Sequence, residues 1–314
     1  MQWRWIGLFA AVFAPMPAIA TDSVPAVDTC SEAYSDLPHG TILDLLDPQA
    51  PPDRRARALS TYEHLATLDG CPEFGYTLGQ LYRQGPDLPG NLVAQDLPKA
   101  RKLIRAMAED GYLHAYADLA EIEMRHANAR EAMKWTQVYL YFTRTVRQDY
   151  VDDAHDLQFQ RSAYNGNLLA RVEIIWRWPR PPLPRRLVRE DLNAYLAQHG
   201  TAVAKRMRER QEGMHSSASS QTGGPIRLAT EPDPCYVRLD GIGAASATWI
   251  IEVLPSGETG RLVLESFVPK IEAAEEIKAC LLQRQFAAFE GDQSATRRVH
   301  FVVGSTEGAS LRRR

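Results

Sequence analysis

The sequence has 314 residues, of which 45% are hydrophobic and 24% are charged, with 36 Lys and Arg against 39 Asp and Glu. This composition is typical of globular proteins and excludes the disordered, collagen-like and coiled-coil classes. The length predicts about two domains, and the formal net charge of -3 gives no reason to expect a nucleic-acid partner held by long-range attraction.

The N-terminus has the layout of a secretory signal peptide. One positive charge, Arg4, precedes the apolar run 5–13, and the small residues Ala-Ile-Ala at 18–20 stand before Thr21. The apolar run is shorter than the roughly 20 residues that a membrane-spanning helix needs. We therefore expect residues 1–20 to be cleaved and the mature protein to be soluble in the periplasm of a Gram-negative bacterium. The alternative is a retained membrane anchor.

The four cysteines predict structural disulfides in that oxidising compartment. Cys30 and Cys71 lie in the first half of the chain, and Cys235 and Cys280 lie in the second. One bridge in each half is the expected arrangement, although the sequence leaves the other pairings open. None of the four has the C-x-x-C spacing of zinc or redox sites, so we assign them no reactive role.

The region 21–211 predicts one helix after another. A short apolar helix covers 74–82, and a second begins near Asp96 and ends at Gly111, where glycine caps a helix well. The same pattern returns from Ala115. Small residues recur at the helix crossings, which predicts paired helices that stack on their neighbours.

The motifs of this region carry a resemblance to a known repeat. They are Leu78-Gly79, Tyr82, Lys99-Ala100 and Ala-Glu-Asp-Gly at 108–111. They resemble Sel-like repeats, which are relatives of tetratricopeptide repeats. In the second copy, Ala120 stands for the glycine and Glu123 for the tyrosine.

The resemblance implies an α-solenoid scaffold that binds peptides or proteins. Helices near 52–68 and 150–176 are expected to complete and cap the stack. The alternative is a packed helical domain without a partner.

Two segments connect this region to the rest of the chain. The basic, proline-rich stretch 176–186 is interpreted as a stiff connector to a helix over 188–211, with a polyproline ligand or an anion-binding patch as alternatives. The stretch 212–234 is rich in Ser, Gly and Pro, which predicts a flexible linker.

The C-terminal region predicts a small α+β domain. Strands over 248–254 and 260–266 flank a turn at 255–257, which indicates a hairpin. The period becomes helical over 270–286, and a last strand follows at 299–303. The fold class is therefore α+β with two domains, an all-α repeat domain followed by a β-β-α-β domain.

The motif order of this region resembles the C-terminal domain of TonB. The matching elements are Ser256-Gly257 in the turn, Glu265-Ser266 before the helix and Arg-Gln-Phe at 284–286 after it. Cys235-Tyr236 and Cys280 resemble more closely the TonB-like domains of AgmX-type gliding-motility proteins. The resemblance implies a domain over 235–304, with a tail over 305–314.

The resemblance also implies partner binding by strand addition at a sheet edge. The candidate partner-binding residues are Arg297, Val299, Phe301 and Val303. The alternative is an edge protected by the charges of Arg297 and Arg298. Unlike TonB, the chain has no long spacer before this domain and carries a cleavable signal.

No pattern in the sequence indicates catalysis. There is no dinucleotide or phosphate-binding loop, no H-E-x-x-H and no G-x-S-x-G, and the 8 histidines are scattered singly. We therefore expect no cofactor, no metal and no nucleic acid, and a non-enzymatic scaffold whose two domains, joined by a flexible linker, each bind an envelope protein. The alternatives are a membrane-retained TonB-like energy transducer and a periplasmic hydrolase.

Overall fold

The computed structural model of the protein describes residues 29–68, 70–148, 163–177, 184–216, 228–229 and 244–304. The first part is helical and comprises α1 (Thr29–Asp36), α2 (Thr41–Leu46), α3 (Pro52–Leu65), α4 (Pro72–Gln84), α5 (Leu97–Glu109), α6 (His114–Arg125), α7 (Ala129–Gln148), α8 (Ala163–Arg177), α9 (Arg185–Tyr195) and α10 (Thr201–Ser216). The second part comprises β1 (Ala244–Val253), β2 (Thr259–Val268), α11 (Ile271–Leu281) and β3 (Ala295–Gly304). The fold is therefore mixed, mostly helical with a small antiparallel sheet of three strands.

The helices of the predicted repeat pack in pairs. Helix α4 packs on α5, α6 packs on α7, and α5 contacts α6. Helices α3, α4 and α5 each carry a proline in the first turn, where its missing N–H group is harmless. Asp96 caps α5 by accepting a hydrogen bond of 2.9 Å from the backbone N–H of Lys99.

Gly79 explains why α4 and α5 cross so closely. A Cβ atom at this position would lie 2.7 Å from Cγ1 of Ile104 and 3.3 Å from Cβ of Leu103. Real Cβ contacts are longer than this, so a side chain at Gly79 would push the two helices apart. The Leu-Gly motif of the first helix is thus a packing requirement.

Most predicted elements are present with shifted bounds. The helix predicted over 188–211 runs from α9 through a π-helical turn, Leu196–Gly200, into α10 and ends at Ser216. The helix predicted over 270–286 ends at Leu281, and β3 is longer than predicted. Much of the connector 176–186 and of the helix predicted at 150–176 lies outside the described residues.

The sheet has the strand order β2-β1-β3, with β1 in the centre. Paired residues of antiparallel strands share a face, so Trp249 and its partner Val299 lie on one face, and Ile250 and its partner Arg298 lie on the other. Helix α11 covers the Trp249 face, as predicted. Helices α2, α4 and α8 also contact the sheet, and β1 is buried over almost its whole length.

The helices and the sheet thus share one continuous set of buried apolar residues. The sequence predicts a flexible linker over 212–234 between the helices and the sheet. The structure adds a packed contact between the two parts of the chain. Residues 217–227 and 230–234 of the predicted linker lie outside the described residues, and its first five residues continue α10.

Candidate functional site

The structure contains a disulfide between Cys30 and Cys71, as predicted for the first half of the chain. Their Cα atoms are 5.3 Å apart, and the bond joins α1 to the residue before α4. Cys280 in α11 is also disulfide-bonded, whereas Cys235 lies outside the described residues.

The candidate partner-binding residues lie along β3, at one end of the strand order. Arg297, Val299, Phe301 and Val303 stand opposite Ile251, Trp249, Ala247 and Ala245 of β1, so they belong to the face that α11 covers. Arg297 is exposed, and Val299 and Phe301 are half-buried. The guanidinium carbon of Arg284 lies 4.6 Å from the centre of the Phe301 ring. The four residues share one strand and one face.

The side chain of Arg298 lies on the opposite face of the sheet from these four residues. This position corrects the alternative in which the charge of Arg298 protects the edge of β3. Its Nε and Nη2 atoms each donate a 2.8 Å hydrogen bond to the carboxylate of Glu265, which is 0% exposed. Nη2 also donates to the hydroxyl of Thr77 in α4 at 2.8 Å, and that hydroxyl donates to Glu265 at 2.7 Å. Burial by itself lowers the pKa of Arg298, but the Glu265 charge outweighs it and raises the pKa above its ordinary value.

Alternation along β2 brings Glu265 to this position. Val263 and Arg298 both pair with Ile250 and share its face, and Glu265 follows Val263 by two residues. The register then pairs Trp249 with Leu264 and Thr248 with Ser266, so Glu265 is also the extra residue of a β-bulge. The carboxylate therefore lies on the face of the sheet on which the helices pack.

A histidine pair lies in the same contact between helices and sheet. The rings of His114 in α6 and His300 in β3 are stacked with centres 3.8 Å apart. Thr248 Oγ1 and His300 Nδ1 are 2.9 Å apart, within hydrogen-bond distance. Desolvation, and to a smaller extent the positive charge of Arg83, lower the pKa of His300 to about 4.

Arg83 belongs to a buried polar cluster centred on Asp118. Its Nη1 atom lies 2.9 Å from Asp118 Oδ1, and its side chain is 2% exposed. The Tyr76 hydroxyl and the Gln80 amide donate hydrogen bonds of 2.8 and 2.7 Å to Asp118 Oδ2. Asp118 therefore offsets the buried charge of Arg83.

Beside this cluster lies a cavity of about 370 Å³, which we call the arginine pocket. Three helices and the end of β2 form it. Its lining residues are Arg83, Glu121, Met124, Arg125, Arg171, Ile174, Ile175, Phe267, Val268 and Pro269. The polar side of the pocket carries three guanidinium groups and one carboxylate, and the rest of its lining is apolar.

The three arginines of the pocket differ in their partners. Arg83 pairs with Asp118, and both terminal nitrogens of Arg171 donate to the Glu121 carboxylate at 2.9 Å. Arg125 donates to the carbonyl oxygen of Arg83 at 2.9 Å and to the Gln84 side-chain oxygen at 3.3 Å. Burial, and next the charge of Arg83, lower the pKa of Arg125.

The described residues show neither a metal centre nor a membrane span. Within them, no group of three or more His, Cys, Asp and Glu side chains is arranged to hold a metal ion. No helix of the described ranges is long and apolar enough to cross a membrane.

Sequence reasoning missed the arginine pocket. Its arginines belong to three helices that are far apart in sequence, and their spacing carries no motif. One local signal exists, since Arg83 interrupts a helix whose residues 74–84 are all buried. A charge inside such a run indicates a buried polar partner.

Comparison of the chain with protein-family models, curated proteins and solved structures gives no match. The resemblances to Sel-like repeats and to the TonB C-terminal domain therefore rest on their sequence motifs alone.

Proposed function

We propose that the protein is a non-enzymatic interaction protein of the bacterial cell envelope, located in the periplasm after cleavage of residues 1–20. A helical-repeat domain over 21–211 and a TonB-like domain over 235–304 each bind an envelope protein. The protein needs no cofactor for this role.

The observation that carries the proposal is the side of β3 that faces away from β1. This strand of ten residues pairs with β1 from Ala295 to Gly304, and within the described part of the chain it pairs with no other strand. Such an edge offers a row of backbone N–H and C=O groups to an extended partner segment. Since helices cover both faces of the sheet, the edge is the part of it that a partner strand can reach.

The packing of the sheet on the helices refines the mechanism. With a flexible linker alone, the linker would set how close the binding surface of the helical-repeat domain comes to the binding surface of the sheet. The buried contacts from Thr77 to Glu265 and from Gln84 to the Phe267 carbonyl hold the surfaces together directly. The scaffold therefore presents two surfaces at a fixed spacing.

Photo-crosslinking in cells tests the edge. A photoreactive residue at exposed Thr296 in β3 is expected to crosslink to one envelope protein. The same residue at Lys205 in α10, whose side chain is 72% exposed, serves as the control. Equal crosslinking of this same protein from both sites, or none from Thr296, contradicts binding at the edge, whereas a different protein crosslinked from Lys205 would be the partner of the helical-repeat domain.

Proline substitutions sharpen this test. Neighbouring strand residues direct their N–H groups to opposite sides, so of Thr296→Pro and Arg297→Pro one removes a bond to β1 and the other alters only the free side. The variant that alters only the free side is expected to keep the fold, as judged by circular dichroism, and to lose co-purification of the envelope protein that the Thr296 site crosslinks. If both proline variants fold and still co-purify this protein, strand addition is contradicted.

N-terminal sequencing of the protein from cell envelopes tests its location. A chain that starts at Thr21 supports the periplasmic scaffold. A chain that starts at Met1 in the inner membrane favours the energy transducer instead.

A further inference from the structure

The arginine pocket combines accessible positive charge with an apolar wall. Arg83 and Arg171 are engaged in short ion pairs with Asp118 and Glu121. Among the described residues, the ion pair of Arg125 is the one with Asp87, at 3.6 Å, and Asp87 is 59% exposed. A contact of this length between exposed groups offsets little charge, because solvent screens it.

Arg125 therefore has unused capacity for an anion. Its side chain is 31% exposed, so a ligand can reach it. Burial lowers the pKa of Arg125 most, and the neighbouring charges of Arg83 and, to a smaller extent, Arg171 lower it further by repulsion. A bound anion would reduce that repulsion, and a guanidinium group offers several donors in one plane.

The apolar part of the pocket lining favours an aliphatic group. Ile174 is 58% exposed, the highest value among the large hydrophobic residues exposed in the described ranges. Ile175, Met124 and Val268 continue the apolar lining. Covering Ile174 would remove apolar surface from water, which stabilises a complex in proportion to the area buried.

We propose that the arginine pocket binds a small amphiphilic carboxylate, with its head group on Arg125 and its aliphatic chain along Ile174. Arg171 and Glu121, which both line the pocket, form a bidentate pair. The pocket therefore has room for a guanidinium–carboxylate pair. The volume of about 370 Å³ lies at the small end of ligand sites. This function is separate from the proposed partner binding at β3.

Calorimetric titration of the purified protein with sodium octanoate tests the proposal. Octanoate is expected to bind, and Arg125→Gln is expected to weaken the binding at least tenfold. The matched control is Arg57→Gln in α3, which removes an arginine that is 69% exposed and paired with Asp53 on the surface. This control is expected to bind octanoate as the parent protein does.

A second variant guards against a folding defect in Arg125→Gln. Ile174→Glu changes an exposed side chain, leaves every arginine in place and puts a negative charge where the chain would lie. It is expected to keep the melting temperature and to lose octanoate binding. Unchanged binding in this variant overturns the proposal.

Two further ligands separate the contributions of head group and chain. Octanol, which lacks the charge, is expected to bind at least tenfold more weakly than octanoate. Equal binding of octanol, or binding of octyl phosphate without binding of octanoate, overturns the assignment to a carboxylate.

Discussion

The ion pair between Arg298 and Glu265 allows the contact between sheet and helices to be tested by measurement. Glu265 is fully buried, and the side chain of Arg298 is 21% exposed. Glu265→Leu or Arg298→Met alone leaves the other charge buried without its partner. Loss of one member of a buried pair costs roughly 3–5 kcal/mol. We expect each single variant to lower the free energy of unfolding by about that amount.

The double variant removes both charges, so its loss should be much smaller than the sum of the single losses. Replacing a buried pair by apolar groups is often close to neutral. We therefore expect a coupling energy of at least about 2 kcal/mol in the double-mutant cycle. Urea denaturation followed by circular dichroism and by tryptophan fluorescence gives all four free energies.

Thr77→Val provides a matched control on the helical side. It keeps the shape of the side chain and removes the hydroxyl that bridges the pair. Its expected loss is about 1.5–3 kcal/mol, the contribution of a hydrogen bond to a charged group. The reasoning is refuted if the single variants at Glu265 and Arg298 each lose less free energy of unfolding than Thr77→Val and if the double variant loses the sum of the two.

Three further changes have defined outcomes. Burial lowers the pKa of His300 from its ordinary value of about 6.5 to about 4, so below pH 6.5 the unfolded chain takes up a proton that the fold excludes. The free energy of unfolding should therefore fall by roughly 3 kcal/mol between pH 6.5 and 4, and His300→Gln should reduce this loss. Gly79→Ala should lower the melting temperature through the clash with α5, whereas Gly75→Ala, whose Cβ would meet its nearest neighbour at 3.4 Å, should be neutral or stabilising. Replacing Cys30 and Cys71 by Ala should remove about 4 kcal/mol of stability under oxidising conditions, and a chevron analysis that shows an unchanged free energy would contradict it.

Local patterns predicted the elements that depend on neighbours in the chain. The hairpin turn required glycine, and Gly257 has φ +87° with a Cβ position that would collide with the Phe286 carbonyl. The Leu78-Gly79 motif predicted a close helix pair, and the order of strands and helix after residue 244 is as predicted. These features depend on backbone conformation and on spacing, which a single sequence contains.

The contact between sheet and helices was not predictable in the same way. Arg298 alternates with Val299 in a strand, and that pattern normally indicates solvent on the side of the arginine. Its partner Glu265 belongs to β2, on the other side of the central strand β1, and Thr77 lies 188 residues before Glu265. The candidate residues of β3 could be named from alternation, whereas the arginine pocket depends on three helices converging.

The ion pair between Glu265 and Arg298 has a consequence for how the strands find their register. A slip of one residue turns every side chain of a strand to the opposite face. In such a slipped sheet, Glu265 would lose Arg298 and remain as an unpaired carboxylate, at a cost of several kcal/mol. The polar pair thus penalises the wrong alignment of β2 on β1, a discrimination that the nearly uniform burial of β1 would not provide.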